Sequence, residues 1–279
     1  MLRQRVITAL VLLALLLPSL AIASPTPFIL LTLVLIAAAG WEWARLNGVA
    51  STPAIASGAL LGAACVAVVL GGWRLGEAHA LWWLAAALWV LGGGLALRAG
   101  PAGWPGLPLA LRWPLGLLLL WLAWNALAHA RIVGVNFLLS VLCIVWAADI
   151  AAYFGGRAFG KRKLAPSISP GKSWEGVWSG VLGVIVLSLL WGLVEGLFAR
   201  VDSPSVFTLL RQRLGLGGMA VALLVLTSMS VVGDLFESLV KRAAGAKDSS
   251  RLLPGHGGVL DRVDALLPVL PMALAMISL

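Results

Sequence analysis

Apolar residues in this chain do not alternate, and they do not repeat in heptads. They come in unbroken runs at roughly 6–24, 28–45, 54–73, 79–98, 112–130, 134–155, 176–199, 215–237 and 264–279. About 20 apolar residues in a helix cross the hydrocarbon layer of a bilayer, so the pattern predicts nine transmembrane helices, the last one short. The Pro25-Thr26-Pro27 break separates the first two. The period-two alternation of a β-barrel is absent, and no internal repeat is visible. The expected fold is an all-α, polytopic integral membrane protein with about nine transmembrane helices.

Two polar stretches interrupt this pattern, at 155–175 and 238–264. They divide the chain into N-terminal transmembrane helices (1–130) and a region carrying both loops (131–279), whose C-terminal helices are expected to carry the functional residues. With 61% hydrophobic and 11% charged residues and a mean hydropathy of +1.01, a soluble globular domain is excluded. The net charge of +9 does not indicate nucleic-acid binding, because it is distributed by side. With the N-terminus placed in the cytoplasm, fifteen of the twenty Lys and Arg residues fall on inner segments. Five (Arg74, Arg131, Arg200, Arg211 and Arg213) fall on outer ones. By the positive-inside rule both polar loops then face the cytoplasm. All five lysines lie in those loops.

Three further features are ambiguous. The fourteen tryptophans suit interfacial belts or core packing. Cys65 and Cys143 lie in different apolar runs and are expected to be small buried side chains. Met1 to Ala23 has the outline of a signal peptide, but a second apolar run follows at Phe28, so an uncleaved first span is expected.

Seven of the eleven acids lie in or beside the two loops: Asp149, Glu175, Asp234, Glu237, Asp248, Asp261 and Asp264. Topology does not explain them, since acids contribute little to orientation. Asp149 and Asp234 fall near the inner ends of spans six and eight. An ionisable residue there is functional or paired with a nearby Arg or Lys, and Glu237, one turn from Asp234, could share its role. Asp261 and Asp264 are three apart at an expected helix start, on one face. Two like charges so placed need a cation. Arg262 points about 100° away around the helix, which favours a divalent metal over a helix-dipole pair. Gly255, Gly257 and Gly258 flank His256 and allow close approach of backbone to a ligand; His256 itself suits a phosphate contact or a backbone hydrogen bond. Gly171-Lys172-Ser173 is not a P-loop, because Pro166 stands where its first glycine belongs. Ser169-Pro170 instead predicts a helix cap with proline at the first position, leaving N–H groups and Lys172 for a phosphate.

The stretch Ser238 to Asp264, SLVKRAAGAKDSSRLLPGHGGVLDRVD, closely resembles the signature of the phosphatidate cytidylyltransferases. It carries Ser-x-x-Lys-Arg, Lys-Asp, the His-Gly-Gly turn and Asp-Arg-x-Asp in order. Asp149 to Gly176 is similar to the family's other polar block. The N-terminal half resembles the family in hydropathy and in Trp41-Glu42-Trp43. The resemblance implies a bacterial inner-membrane enzyme joining CTP and phosphatidic acid into CDP-diacylglycerol and pyrophosphate, its active site at the cytoplasmic face of the lipid bilayer. It implies Mg²⁺, leaves open a second, monovalent cation, and suggests a homodimer. On this reading Lys241, Arg242, Lys247, Asp248, His256 and Arg262 are catalytic. Lys172, Ser173, Ser238, Gly257 and Gly258 bind substrate, and Asp261, Asp264, Asp234 and Asp149 hold metal.

A transporter with Asp149 and Asp234 on an ion path is the competing class, but it lacks the expected repeats. A polyprenol kinase or an archaeal-lipid cytidylyltransferase is a nearer rival, opposed by the complete signature. The Asp-Gly-x-x-Ala-Arg motif of CDP-alcohol transferases is absent.

Overall fold

The computed structural model describes residues 2–72, 79–197 and 201–279. Arg74 and Arg200, two of the expected outer-side cations, lie outside the described residues. Among the described residues, eight helical segments are long and apolar enough to cross a membrane. They are α1 (Leu2–Ala21), α2 (Thr26–Leu46), α3 (Ser51–Leu70), a composite span from α4 (His79–Ala87) to α5 (Gly94–Gly103), α6 (Leu109–Val133), α7 (Val135–Phe159), α8 (Trp174–Leu197) and α9 (Val206–Ala243). Two shorter helices, α10 (Leu260–Val263) and α11 (Leu266–Ile277), complete the chain.

Two spans depart from regular helix at glycines. Between α4 and α5 the backbone widens into a π-helical segment, Leu88–Gly93, over part of the Gly92-Gly93-Gly94 run. A Cβ on Gly93 would come within 3.1 Å of Val232 on α9, so the missing side chain allows close packing there. In α9 the kink is at Gly215, with φ 68°, where the hydropathy pattern expected the span to begin. The straight part after it is roughly 42 Å long at ~1.5 Å per residue. That exceeds a ~30 Å hydrocarbon core, so the last turns, with Lys241 and Arg242, extend beyond it.

The expected ninth span differs in kind. α11 has only 12 residues, and every residue from Leu267 to Ala275 is buried. It packs on α4, α6, α7 and α9, so this apolar run is a core element among the other helices.

Both hydrophobic clusters draw on either side of residue 130. One joins Phe28, Trp82 and Ala126 to Phe137, Leu226 and Val269. The other joins Trp43, Trp89 and Trp104 to Phe236, Leu239 and Leu260. In the second, Phe236 stacks on Trp43 at 6.1 Å and meets the edges of Trp89 and Trp104 at 5.3 Å each. These tryptophans are core residues, whereas Trp146, Trp174 and Trp178 are exposed. Both cysteines are free, Cys65 buried and Cys143 half-buried.

The expectation of a helix start at Ser169-Pro170 is corrected. Ser169–Ser173 is strand β2, antiparallel to β1 (Lys163–Ala165), with Lys163 opposite Ser173 and Ala165 opposite Ser169. The cap falls four residues later: the Ser173 hydroxyl accepts the Gly176 N–H at 3.2 Å, the usual bond of an N-cap serine. A hairpin, not a helix end, therefore carries Lys172. Pro170 is tolerated because a two-stranded ribbon consists only of edges.

Helices α7 and α8 cross at very short range through small residues. A Cβ on Gly155 would overlap Ser179, and one on Gly180 would press on the Ala148 carbonyl at 3.0 Å. At the end of the bundle away from the two loops, Asp202 accepts the Val135 and Asn136 N–H groups at the start of α7. Glu195 there accepts from Asn136, Ser205 and Thr208. These contacts tie α7, α8 and α9 together opposite the site.

Candidate active site

The loop end of the bundle gathers the C-termini of α2, α7 and α9 with the β-hairpin and α10. Its polar residues form three adjoining groups.

The first lines a cavity of about 460 Å³ between α7, β2, α8 and α9. Asp149, Arg157, Lys172, Ser173 and Asp234 face it, beside the apolar Ala152, Val177 and Val231. Lys172 Nζ donates to Asp234 Oδ2 at 2.5 Å, with the two side chains 25% and 28% exposed. Asp149 lies within reach of both their charges, and Ser238 Oγ stands 3.4 Å from Asp234 Oδ1. The anticipated ion pairing of an acid inside the apolar runs is thus met for Asp234 by Lys172, and both remain open to the cavity.

The second group lies behind the first and is closed. Lys241 Nζ is 2.6 Å from Glu237 Oε2 and 2.6 Å from Asp261 Oδ1, and the three side chains are 11%, 6% and 4% exposed. Asp261 Oδ2 accepts from Ser249 N (2.8 Å), Ser249 Oγ (2.7 Å) and Gly258 N (2.7 Å). Burial alone would raise the Asp261 pKa. Lys241 and these three donors outweigh it and hold the carboxyl at about 2, as expected for a carboxylate bound by several donors. Lys241 is a cation at Asp261 that the spacing argument, which weighed only Arg262, did not consider. Asp264 does not share that contact. Its Oδ1 accepts the Ala265 N–H at 2.8 Å, and it sits within the electrostatic reach of Asp234, Lys241 and Lys172, between the two groups.

The third group is an open groove lined by Trp41, Arg45, Lys247, Asp248, Ser250 and Arg251. Arg242 and Arg262 are exposed, and Arg242 donates to the Ala246 carbonyl at 3.3 Å, past the end of α9. His256 is half-buried in the glycine turn, with Nδ1 unpartnered among the described residues. Gly257 has φ +84°, and a Cβ there would lie 2.6 Å from Asp261 Oδ2. Gly258 has no room at all: a Cβ would fall 2.1 Å from Ser249 Oγ and 2.3 Å from Glu42 Oε1. These two glycines admit the side chains that bind the loop.

The predicted residues therefore do not form one cluster. Asp149, Lys172, Ser173, Asp234 and Ser238 meet at the cavity, with Asp264 adjoining. Lys241, Asp261 and Gly258 form the lock, and Lys247 and Asp248 line the groove. Among the described residues no three His, Cys, Asp or Glu side chains come together as a metal cage. Two carboxylates, Asp149 and Asp234, on one cavity nevertheless fit Mg²⁺, which is commonly held by one or two carboxylates plus substrate phosphates. Sequence reasoning passed over Arg157, whose charge topology alone explained, and Glu42. Glu42 is fully buried on α2, and the rule applied to Asp149, that an acid inside an apolar run is functional or paired, would have selected it.

Acids and bases facing one cavity beside apolar walls, at one end of a bundle whose helices are long and apolar enough to cross a membrane, define a polar site in a membrane-type helical protein. The chain belongs to the cytidylyltransferase family, which it matches over residues 3–279. It is 39% identical to a phosphatidate cytidylyltransferase of Pseudomonas aeruginosa over 286 residues, 99% of this chain and 97% of that one. It is 49% identical to one of Haemophilus influenzae over 138 residues, which is 50% of this chain and 44% of the relative. For one of Bacillus subtilis the figures are 37% over 146 residues, 52% and 49%. The latter two matches each span about half of the relative.

Proposed function

We propose that this protein is a CTP:phosphatidate cytidylyltransferase, a nucleotidyltransferase making CDP-diacylglycerol and pyrophosphate. Family membership supports the reaction class. The observation carrying the assignment to this site is the cavity between α7, β2, α8 and α9, where Lys172, Arg157, Asp149 and Asp234 face one space beside apolar walls. A lipid phosphate needs both surfaces. Arg157 and Lys172 line the cavity and Arg45, Lys247 and Arg251 line the neighbouring groove; all five fall on inner segments by the positive-inside rule, so we assign the cavity to the cytoplasmic face of a bacterial inner membrane, where CTP is available.

In the reaction an oxygen of the phosphatidate phosphate bonds to the α-phosphorus of CTP, the bond from that phosphorus to the bridging oxygen breaks, and pyrophosphate leaves. A phosphate monoester has its second pKa at about 6, so the attacking oxygen is mostly deprotonated at neutral pH and needs no general base. The obstacle is repulsion between anions, and the protein contributes positioning and neutralisation. Lys172, at the cavity wall and partly exposed, turns its ammonium from Asp234 toward a phosphate, and Arg157 supplies a second positive group. Asp149 and Asp234, with Asp264 adjoining, would hold Mg²⁺ against the substrate phosphates, where it would spread the charge developing on the phosphoryl oxygens. Asp261 is assigned to holding the loop, because both its oxygens accept from protein donors, Oδ1 from Lys241 and Oδ2 from Ser249 and Gly258.

The direct test incubates purified protein with cytidine-labelled CTP, with and without phosphatidic acid and Mg²⁺. A lipid-soluble cytidine product that requires both is the expected result; none under any condition would refute the assignment.

A further inference from the structure

Glu42 lies on α2, 207 to 218 positions from the residues of the signature loop that it contacts, and is completely buried. All its polar contacts go to the two arms of that loop. On one arm, Ser250 Oγ donates to Oε1 at 2.6 Å, and Ser249 Oγ lies 3.2 Å from Oε2. On the other, Val259 N donates to Oε1 at 2.9 Å and Leu260 N to Oε2 at 2.8 Å. A hydroxyl has one proton, and that of Ser249 goes to its closer acceptor, Asp261, at 2.7 Å. Ser249 is therefore bonded to the Lys241–Asp261 lock, and it meets the Glu42 node through its chain neighbour Ser250, whose hydroxyl donates to Glu42. Without Glu42, the N–H groups of Val259 and Leu260 would be left buried and unpaired, and an unmade buried hydrogen bond is costly.

We infer that Glu42 is a positioning residue for nucleotidyl transfer, a clamp from the N-terminal helices. It fixes the spacing of Ser249–Ser250 and Val259–Leu260, and through them the glycine turn with His256 and the approach of Asp261 to Lys241. Glu42 touches no cavity-lining residue of the first group, so it acts through the loop. The fit around it is tight on the loop side as well, since Gly258 leaves no space for even a methyl group beside Glu42 Oε1. The inference rests on the proposed function only for the step that the loop serves; the clamp itself rests on the contacts.

The test compares Glu42→Gln, Ser250→Ala and the double variant in the full-length detergent-solubilised protein. Three measurements are made: kcat and KM with CTP and phosphatidate, melting temperature, and hydrogen exchange resolved to peptides. Glu42→Gln keeps the size but turns an NH₂ toward a backbone N–H. It is expected to lower kcat by about ten- to hundredfold with KM changed less than about threefold. Exchange should rise about tenfold or more in 249–260 and stay unchanged in α7 and α8. Ser250→Ala should show a smaller loss in the same segment, and the double variant should be no worse than Glu42→Gln, since coupled residues are non-additive. Wild-type exchange in 249–260 in Glu42→Gln overturns the inference. So does a rise spread over the whole chain with a matching fall in melting temperature, which marks a merely stabilising residue. If Glu42→Gln does not accumulate in membranes, Ser250→Ala decides by the same exchange readout. If wild type makes no CDP-lipid, the functional reading fails, while the exchange data still decide the clamp.

Discussion

Two lysines in the signature loops meet carboxylates at nearly the same distance and yet have different tasks. Lys172 reaches Asp234 at 2.5 Å with a quarter of its side chain exposed, whereas Lys241 is enclosed between Glu237 and Asp261. Lys172→Gln should therefore leave the melting temperature nearly unchanged. It should reduce kcat/KM for phosphatidate or CTP about ten- to hundredfold, the loss expected for a charge-assisted hydrogen bond of about 1.5–3 kcal/mol. Lys241→Met should do the reverse first: removing one partner of a buried pair costs about 3–5 kcal/mol, so stability falls before kinetics can be read. Thermal melts beside steady-state kinetics separate them, and equal stability in both variants would contradict the division. Asp261 adds a pH signature. Its folded pKa, about 2, lies below the ~3.9 of an unfolded aspartate. Its contribution is therefore complete above pH ~4 and is lost as pH falls through about 2. An acid titration of loop exchange should show the 249–260 segment still protected at pH 4.5; opening between pH 5 and 6 would mean that a carboxyl of higher pKa, and not Asp261, sets the acid limit of the loop. From sequence, Asp261 was visible as a candidate but not its partner Lys241. Lys241 is twenty residues away, and only the return of α10 onto α9 brings them together.

At the scale of elements, the apolar runs were legible because a bilayer requires about 20 consecutive apolar residues and little else imitates that pattern. Two assignments depended on more than hydropathy. Residues 264–279 look like a short span, but a 12-residue helix enclosed by α4, α6, α7 and α9 is equally apolar. Ser169-Pro170 has the composition of a cap, but its backbone pairs with Lys163–Ala165, a tertiary preference outweighing a local one. The α7–α8 crossing sets the width of the cavity, so Gly155→Val should separate those helices at Ser179. We expect a lower melting temperature and a loss of activity of at least tenfold, measured on purified protein. A wild-type melt with full activity would show that the crossing does not hold the cavity walls.

For the whole molecule, the two polar loops meet at one end, and the Asp202 and Glu195 contacts close the other. The charge bias read from sequence and the folded arrangement assign residues to the same two ends: Arg45 and Arg251 share a groove beside the signature loop, while Arg131 donates to the Ile22 carbonyl at the far end at 2.7 Å. Single cysteines at the exposed Ser167 and Gln212 should be labelled from opposite sides by a membrane-impermeant reagent in intact cells and inverted vesicles. Ser167→Cys should react only from the cytoplasm, and reaction from outside would place the cavity where CTP does not reach.

The central claim is that nucleotidyl transfer takes place at the Lys172–Asp234 cavity. Its most direct test is a Mg²⁺ titration of CDP-diacylglycerol synthesis by wild type and Asp234→Asn in parallel, each with a melting curve. Asp234→Asn keeps the shape but removes the charge that a hard cation and Lys172 both need. The account predicts a folded variant with at least hundredfold less product and weakened or absent Mg²⁺ dependence. A folded Asp234→Asn protein that makes CDP-diacylglycerol at the wild-type rate and saturates at the same Mg²⁺ concentration would contradict it.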